Sequence, residues 1–99
     1  MIYYGIQAAP TPGGYQTLKE LVVPYAKLLK ANGAKSVQSF VVGAGQNVGT
    51  IAHVVAFADR EAAGKAGEAL RANSEWTKLQ ERGAPVIASL NINTLHEID

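Results

Sequence analysis

The chain runs through nearly the same pattern twice, and this near-repeat is the strongest limit on its fold. Each half carries a strand-like run, a helical stretch, a Gly-Ala break and a second strand-like run. The helical stretches end alike, at Lys30-Ala31-Asn32-Gly33-Ala34 and at Gln80-Glu81-Arg82-Gly83-Ala84. The strand-like runs Ser36 to Val42 and Val86 to Asn93 follow them. A Gly-rich turn, Gly43 to Gly49, joins the halves. At 99 residues the chain makes one domain, 1–99, with no linker or low-complexity segment. A domain this short buries roughly 60–65% of its unfolded surface, so its core is thin.

Local chemistry marks the elements. Ile2 to Ala9 is β-rich and stops at Pro10, which cannot continue a ladder. Thr11-Pro12-Gly13-Gly14 reads as a loop. Tyr15, Leu18, Val22, Tyr25 and Leu29 recur at helical spacing, which predicts a helix from Tyr15 to Asn32. Pro24 sits inside that helix and predicts a kink or a later start. Thr50 to Ala58 is the third strand. Asp59 caps a helix over Arg60 to Asn73, whose small inner face (Ala62, Ala63, Ala66, Ala69) permits close approach to a sheet. Ser74 is the candidate cap of a further helical turn, Glu75 to Arg82, with Trp76 and Leu79. The last strand begins near Pro85 and reaches Leu95. The order β-α-β-β-α-β is the ferredoxin-like split, an α+β class. It implies a four-stranded antiparallel sheet with two helices on one face.

Strand alternation sorts side chains onto two faces. One set, with Ile2, Tyr4, Ile6, Val37, Ser39, Ala52, Val54, Leu90 and Ile92, is nearly all aliphatic or small and is expected under the helices. The other set is mixed: Tyr3, Gln7, Gln38, Phe40, Ile51, His53, Val55, Phe57, Asn91 and Asn93. Neither carries Lys, Arg, Asp or Glu. An open sheet face normally carries charge, and a dry core does not tolerate unpaired amides and histidine. The mixed face therefore predicts cover by a second copy. Its amides and histidine either bond one another across that interface or line a cavity for a small molecule.

Composition removes several function classes. The formal net charge is +1 with no basic run, so neither nucleic acid nor an anionic membrane is favoured as partner. No cysteine is present, which excludes disulfides and thiolate chemistry and fits a cytoplasmic protein. No basic start leads into an apolar run, and no apolar run is long enough to span a bilayer. The segment Val41 to Gly49 mimics a dinucleotide fingerprint, yet a β-branched run follows it rather than a helix, so it reads as a hairpin tip. Asp59 and Asp99, the only Asp residues, fall at element ends, and neither a Ser-His-Asp set nor a catalytic carboxylate pair is recognisable.

His53 is the candidate catalytic residue. An imidazole mid-strand titrates near neutrality and can act as general base or bind a substrate oxygen. Its structural alternative is a neutral histidine satisfied by Gln38 or Asn91. Gln38, Phe40, Asn91, Trp76 and Tyr3 are the candidate ligand-binding residues. Trp76 either anchors its helix on the core or walls a pocket. Two histidines without cysteine or paired carboxylate make only a weak metal site, so no metal and no cofactor is expected.

In element order and length the whole chain resembles the dimeric α+β-barrel superfamily. That grouping takes in antibiotic-biosynthesis-type monooxygenases, EthD-like and NIPSNAP-like proteins, muconolactone isomerases and stress-responsive barrel proteins. The stretch Arg71-Ala72-Asn73-Ser74-Glu75-Trp76-Thr77-Lys78-Leu79 is similar to the helix-end segment of the NIPSNAP-like members. The resemblance implies a homodimer, or a higher oligomer, whose sheets close face to face, with a pocket often lying between sheet and helices. It further implies cofactor-free oxygenation or isomerisation of a small apolar or aromatic compound, with His53 and Trp76 in cavity roles. The alternative is a non-catalytic structural or stress-related module with a filled interior.

Overall fold

In the computed structural model, which describes residues 1–98, the chain folds as the split order predicts. The elements are β1 (Ile2–Pro10), α1 (Tyr15–Ala31), β2 (Ser36–Val41), β3 (Ile51–Phe57), α2 (Arg60–Arg71), α3 (Ser74–Gly83), a 3-10 turn (Ala84–Val86) and β4 (Ile87–Leu95). The four strands form one antiparallel sheet in the order β2-β3-β1-β4. The helices lie on one side of it, in a body 38 × 37 × 18 Å. Asp99 lies outside the described residues.

Each helix boundary has a local cause. α1 begins at Tyr15 and continues through Pro24 to Ala31, so the later start does not occur. The missing Pro N–H costs one helical hydrogen bond, which the buried stripe of Leu18, Leu21 and Leu29 outweighs. Gly33, at φ +111°, turns the chain out of α1. Asp59 caps α2 through a 2.8 Å bond from the Ala62 amide. Asn73, not Ser74, caps α3: its side-chain oxygen accepts from the amides of Glu75 (2.9 Å) and Trp76 (3.1 Å). Asn ranks with Ser as a cap, and the turn at Ala72 places Asn73 one residue earlier.

Pairing register decides which side chains meet the helices. Ile2, Tyr4, Ile6 and Ala8 of β1 stand opposite Phe57, Val55, His53 and Ile51 of β3. Directly paired residues share a face, and Ile2 and Ala8 are buried under the helices. The expected phase of β3 is therefore reversed: Ile51, His53, Val55 and Phe57 lie on the helix side, and Ala52, Val54 and Ala56 on the open side. Burying Ile, Val and Phe removes more apolar area from water than burying two alanines and a valine. A one-residue phase change flips every side chain of a strand.

The strands β1 and β2 keep the expected phase, as does β4 from Leu90 onward. A register shift between Ala9 and Pro10, where a missing N–H interrupts the ladder, turns Ile87 toward the helices instead of the open face. Two core clusters result. One gathers Ile2, Leu29, Val55, Phe57 and Leu70, and the other gathers Ala8, Leu18, Leu21 and Ile51.

Candidate functional site

Between the second cluster and β4 the helix layer stops short of the sheet edge. Leu90 and Ile92 face the helix side of β4 but remain 53% and 61% exposed, because no helix covers them. The space they border is a cavity of about 470 Å3. Its floor includes Ile6, Ala8, Ile51 and His53, and α1 walls it with Leu18, Leu21, Val22 and Tyr25. From α3 come Trp76, Leu79 and Gln80. Ligand sites of this size, mostly apolar with a few polar groups, fall within the usual range. No charged side chain lines this one.

His53 is its chemical centre. The residue is only 8% exposed, and burial holds its pKa below the ordinary histidine value, with desolvation as the cause. Its Nδ1 lies 2.8 Å from Ser39 Oγ, the residue paired with it across β2 and β3. No fully buried polar side-chain atom lacks a partner among the described residues. Nε2, the other ring nitrogen, makes no hydrogen bond among the described residues, and His53 lines the cavity.

An aromatic row continues from the imidazole. Tyr25 meets His53 at a centroid distance of 4.8 Å and stacks on Trp76 at 5.1 Å, with planes 24° apart. Desolvation pushes the Tyr25 phenol up to about 12. Trp76 also packs against the first core cluster. It is both an anchor for α3 and a wall of the cavity.

The sequence-predicted site residues divide between two faces. His53 and Trp76 meet at the cavity. Gln38, Phe40, Asn91 and Tyr3 project from the opposite, open face of the sheet, and neither Gln38 nor Asn91 bonds the imidazole. On that face Phe40 is 55% exposed, and Tyr3 donates a 2.7 Å hydrogen bond to Glu97. Glu97 raises the Tyr3 pKa through that bond. Sequence reasoning missed Ser39 as a partner of His53 and Tyr25 as the link to Trp76. The signal for Ser39 was its place as the one polar residue of the face expected under the helices.

A second, more open groove of about 440 Å3 runs beside α2, with Arg60, Glu68 and Arg71 on its rim. None of the predicted site residues reaches it. Among the described residues no group of three His, Asp or Glu could hold a metal ion, and no helix is long and apolar enough to cross a membrane.

No family model matches the sequence, and no curated protein matches it significantly. Solved structures do match over nearly the whole length. A NIPSNAP family protein from Agrobacterium tumefaciens superposes with a TM-score of 0.86 at 15% identity, covering 99% of this chain and 94% of that one. An uncharacterised NIPSNAP domain protein from Burkholderia xenovorans gives 0.83 at 15% identity, over 99% and 95%. An antibiotic biosynthesis monooxygenase-like protein from Nitrosomonas europaea gives 0.79 at 11% identity, over 100% of both chains. At such identities the likeness establishes the fold: a ferredoxin-like α+β domain of the kind these proteins share.

Proposed function

We propose that the protein binds a small, neutral, apolar compound, preferably aromatic, between its sheet and helices, and transforms it by proton transfer at His53. The observation that carries this reading is an uncharged apolar chamber whose floor holds one imidazole with Nδ1 already engaged by Ser39. Burial keeps that imidazole neutral, the state a general base needs. An anionic ligand would find no cation in the lining and would lose its hydration. The planar wall of Tyr25 and Trp76 suits an aromatic ring through offset stacking. The reaction type is cofactor-free oxygenation or isomerisation. The monooxygenase-like protein from N. europaea, which shares the fold, supports the oxygenase branch.

The open sheet face is covered by a second copy of the chain. No strand residue carries a charge. Phe40 and Leu95 are 55% and 40% exposed on that face, beside Gln7, Gln38, Asn91 and Asn93. On this reading Gln38, Phe40, Asn91 and Tyr3 are contact residues of the homodimer rather than ligand-binding ones.

Trp76 is the only tryptophan, so its fluorescence reports on the cavity. Titration with 1-naphthol and naphthalene should quench it saturably, and 1-naphthoate should do so far more weakly. The reading fails if no aromatic probe quenches and a His53→Gln variant alters stability alone. A non-catalytic oligomeric module with a filled interior would then stand in its place.

A further inference from the structure

We propose that Ser39 is a positioning residue that lets His53 exchange between its two neutral tautomers, so that one imidazole can take a proton from a cavity ligand and return one to it. This rests on the reading of the cavity as a reaction site. The geometry behind it is a 2.8 Å contact between Nδ1 and a hydroxyl on an exposed edge strand. The imidazole is buried, whereas Ser39 is exposed to water.

The choice of residue matters. A carboxylate beside Nδ1 only accepts, and so fixes the Nδ1–H tautomer and favours imidazolium. A serine hydroxyl both donates and accepts, and it serves either tautomer equally. The surroundings disfavour the charged ring. Ile6 of β1 faces it across the sheet, Tyr25 comes from α1, and Trp76 and Gln80 come from α3. Among these groups only the tyrosine titrates, and it does so far above neutrality. No carboxylate or cation lines the chamber. Desolvation is the sole cause of the lowered histidine pKa.

In the Nδ1–H tautomer the ring donates to Ser39 Oγ and leaves Nε2 bare. Nε2 takes a proton from a C–H or O–H of the ligand, and the bonding pair stays on the ligand. Nδ1 passes its proton to Oγ while the Oγ–H proton leaves to water at the sheet edge. The ring is then neutral, its Nε2–H donates a hydrogen bond to the anion formed on the ligand, and solvent has gained one proton. Reversal delivers the Nε2–H proton to a second ligand atom while Nδ1 is reprotonated through Oγ. That sequence is an isomerisation.

The test needs no ligand. In a His96→Gln background the chain holds one imidazole, and its two ring nitrogens can be followed by 15N correlation spectroscopy across pH. The expected result is intermediate shifts at both nitrogens, the signature of two neutral tautomers in exchange. Ser39→Thr should preserve them. Ser39→Ala should move the population to one tautomer, and Ser39→Asp should fix Nδ1–H and raise the titration midpoint. Identical shifts in wild type and Ser39→Ala, or unchanged shifts in Ser39→Asp, overturn the proposal. Because the spectra are recorded on free protein, their outcome is separate from naphthol quenching. Loss of the relay with quenching intact leaves the cavity reading standing, and exchange without quenching removes the substrate reading alone.

Discussion

Tyr25 lies against Trp76 with ring centroids 5.1 Å apart and planes nearly parallel, at 24°. This contact joins α1 to α3 over the cavity and holds the phenol out of water. Tyr25 therefore ionises near 12 in the folded chain against about 10 unfolded. Between those values the folded state keeps a proton that the unfolded state has lost, so stability is complete below pH 10 and falls as pH rises through 12. Two pKa units correspond to roughly 2–3 kcal/mol. Tyr25→Phe should flatten the alkaline limb of a denaturation-versus-pH curve while keeping the stack. Urea melts between pH 8 and 12 check it.

The pH dependence at His53 falls on the acid side. Its folded pKa is lowered, so below the ordinary histidine value the unfolded chain binds a proton that the folded chain refuses. Stability is then complete above about pH 6.5 and declines as pH drops. His53→Gln should remove that slope. Denaturant midpoints for wild type and variant should converge as pH falls from 7 to 5. A wild-type slope unchanged by the substitution would mean that the imidazole is not desolvated.

Asn73 receives two amides of α3 on one oxygen, and one of them belongs to Trp76. Asn73→Ala should cost about 1 kcal/mol, whereas Asn73→Asp or Asn73→Ser should cost only a few tenths. Because the cap also sets the start of the helix that carries the indole, the alanine variant should shift the Trp76 emission maximum as well as lower the thermal midpoint.

Gly14 is a packing requirement. A Cβ built there would sit 2.7 Å from Thr11 Oγ1 and 2.9 Å from both Cβ and the carbonyl oxygen of Val86. The neighbouring strut is the bond from the Thr11 amide to that same Val86 carbonyl, at 2.8 Å. Gly14→Ala should destabilise by about 1–3 kcal/mol, because the added methyl clashes and alanine is also the poorer residue at this N-cap of α1. Gly13→Ala, a site with open space around it but φ at +80°, should cost less through packing and more through backbone strain. Differential scanning calorimetry of the pair separates the two effects.

The proposed dimer face is tested at Phe40, which projects from the edge strand β2 on the side away from the helices. Phe40→Asp should shift sedimentation at micromolar concentration toward the protomer and leave the Trp76 spectrum unchanged. A protomer already predominant in the wild type would refute the shared face.

The element order was legible because turn residues and helical stripes mark it: Pro10, Gly33, Asp59 and Gly83 each sit where an element starts or stops. The phase of β3 was not. Ile51-Ala52-His53-Val54-Val55-Ala56-Phe57 is apolar on both alternations, so no polar residue but His53 distinguishes them, and that histidine pointed to the wrong side. The nine-residue connection from Val42 to Thr50 carries no length signal that sets a register. Ser39, Tyr25 and His53 stand 14 to 28 positions apart in the chain, and only pairing and packing unite them. The bare helix side of β4 was equally hidden, since alternation reports which way a side chain points and not whether a helix reaches it.

A slab 18 Å thick has no deep interior, so no side chain can be remote from the outside. Shelter at the imidazole comes from the Tyr25 ring laid beside it rather than from depth, while the β4 side of the same chamber, at Leu90 and Ile92, stands open to solvent.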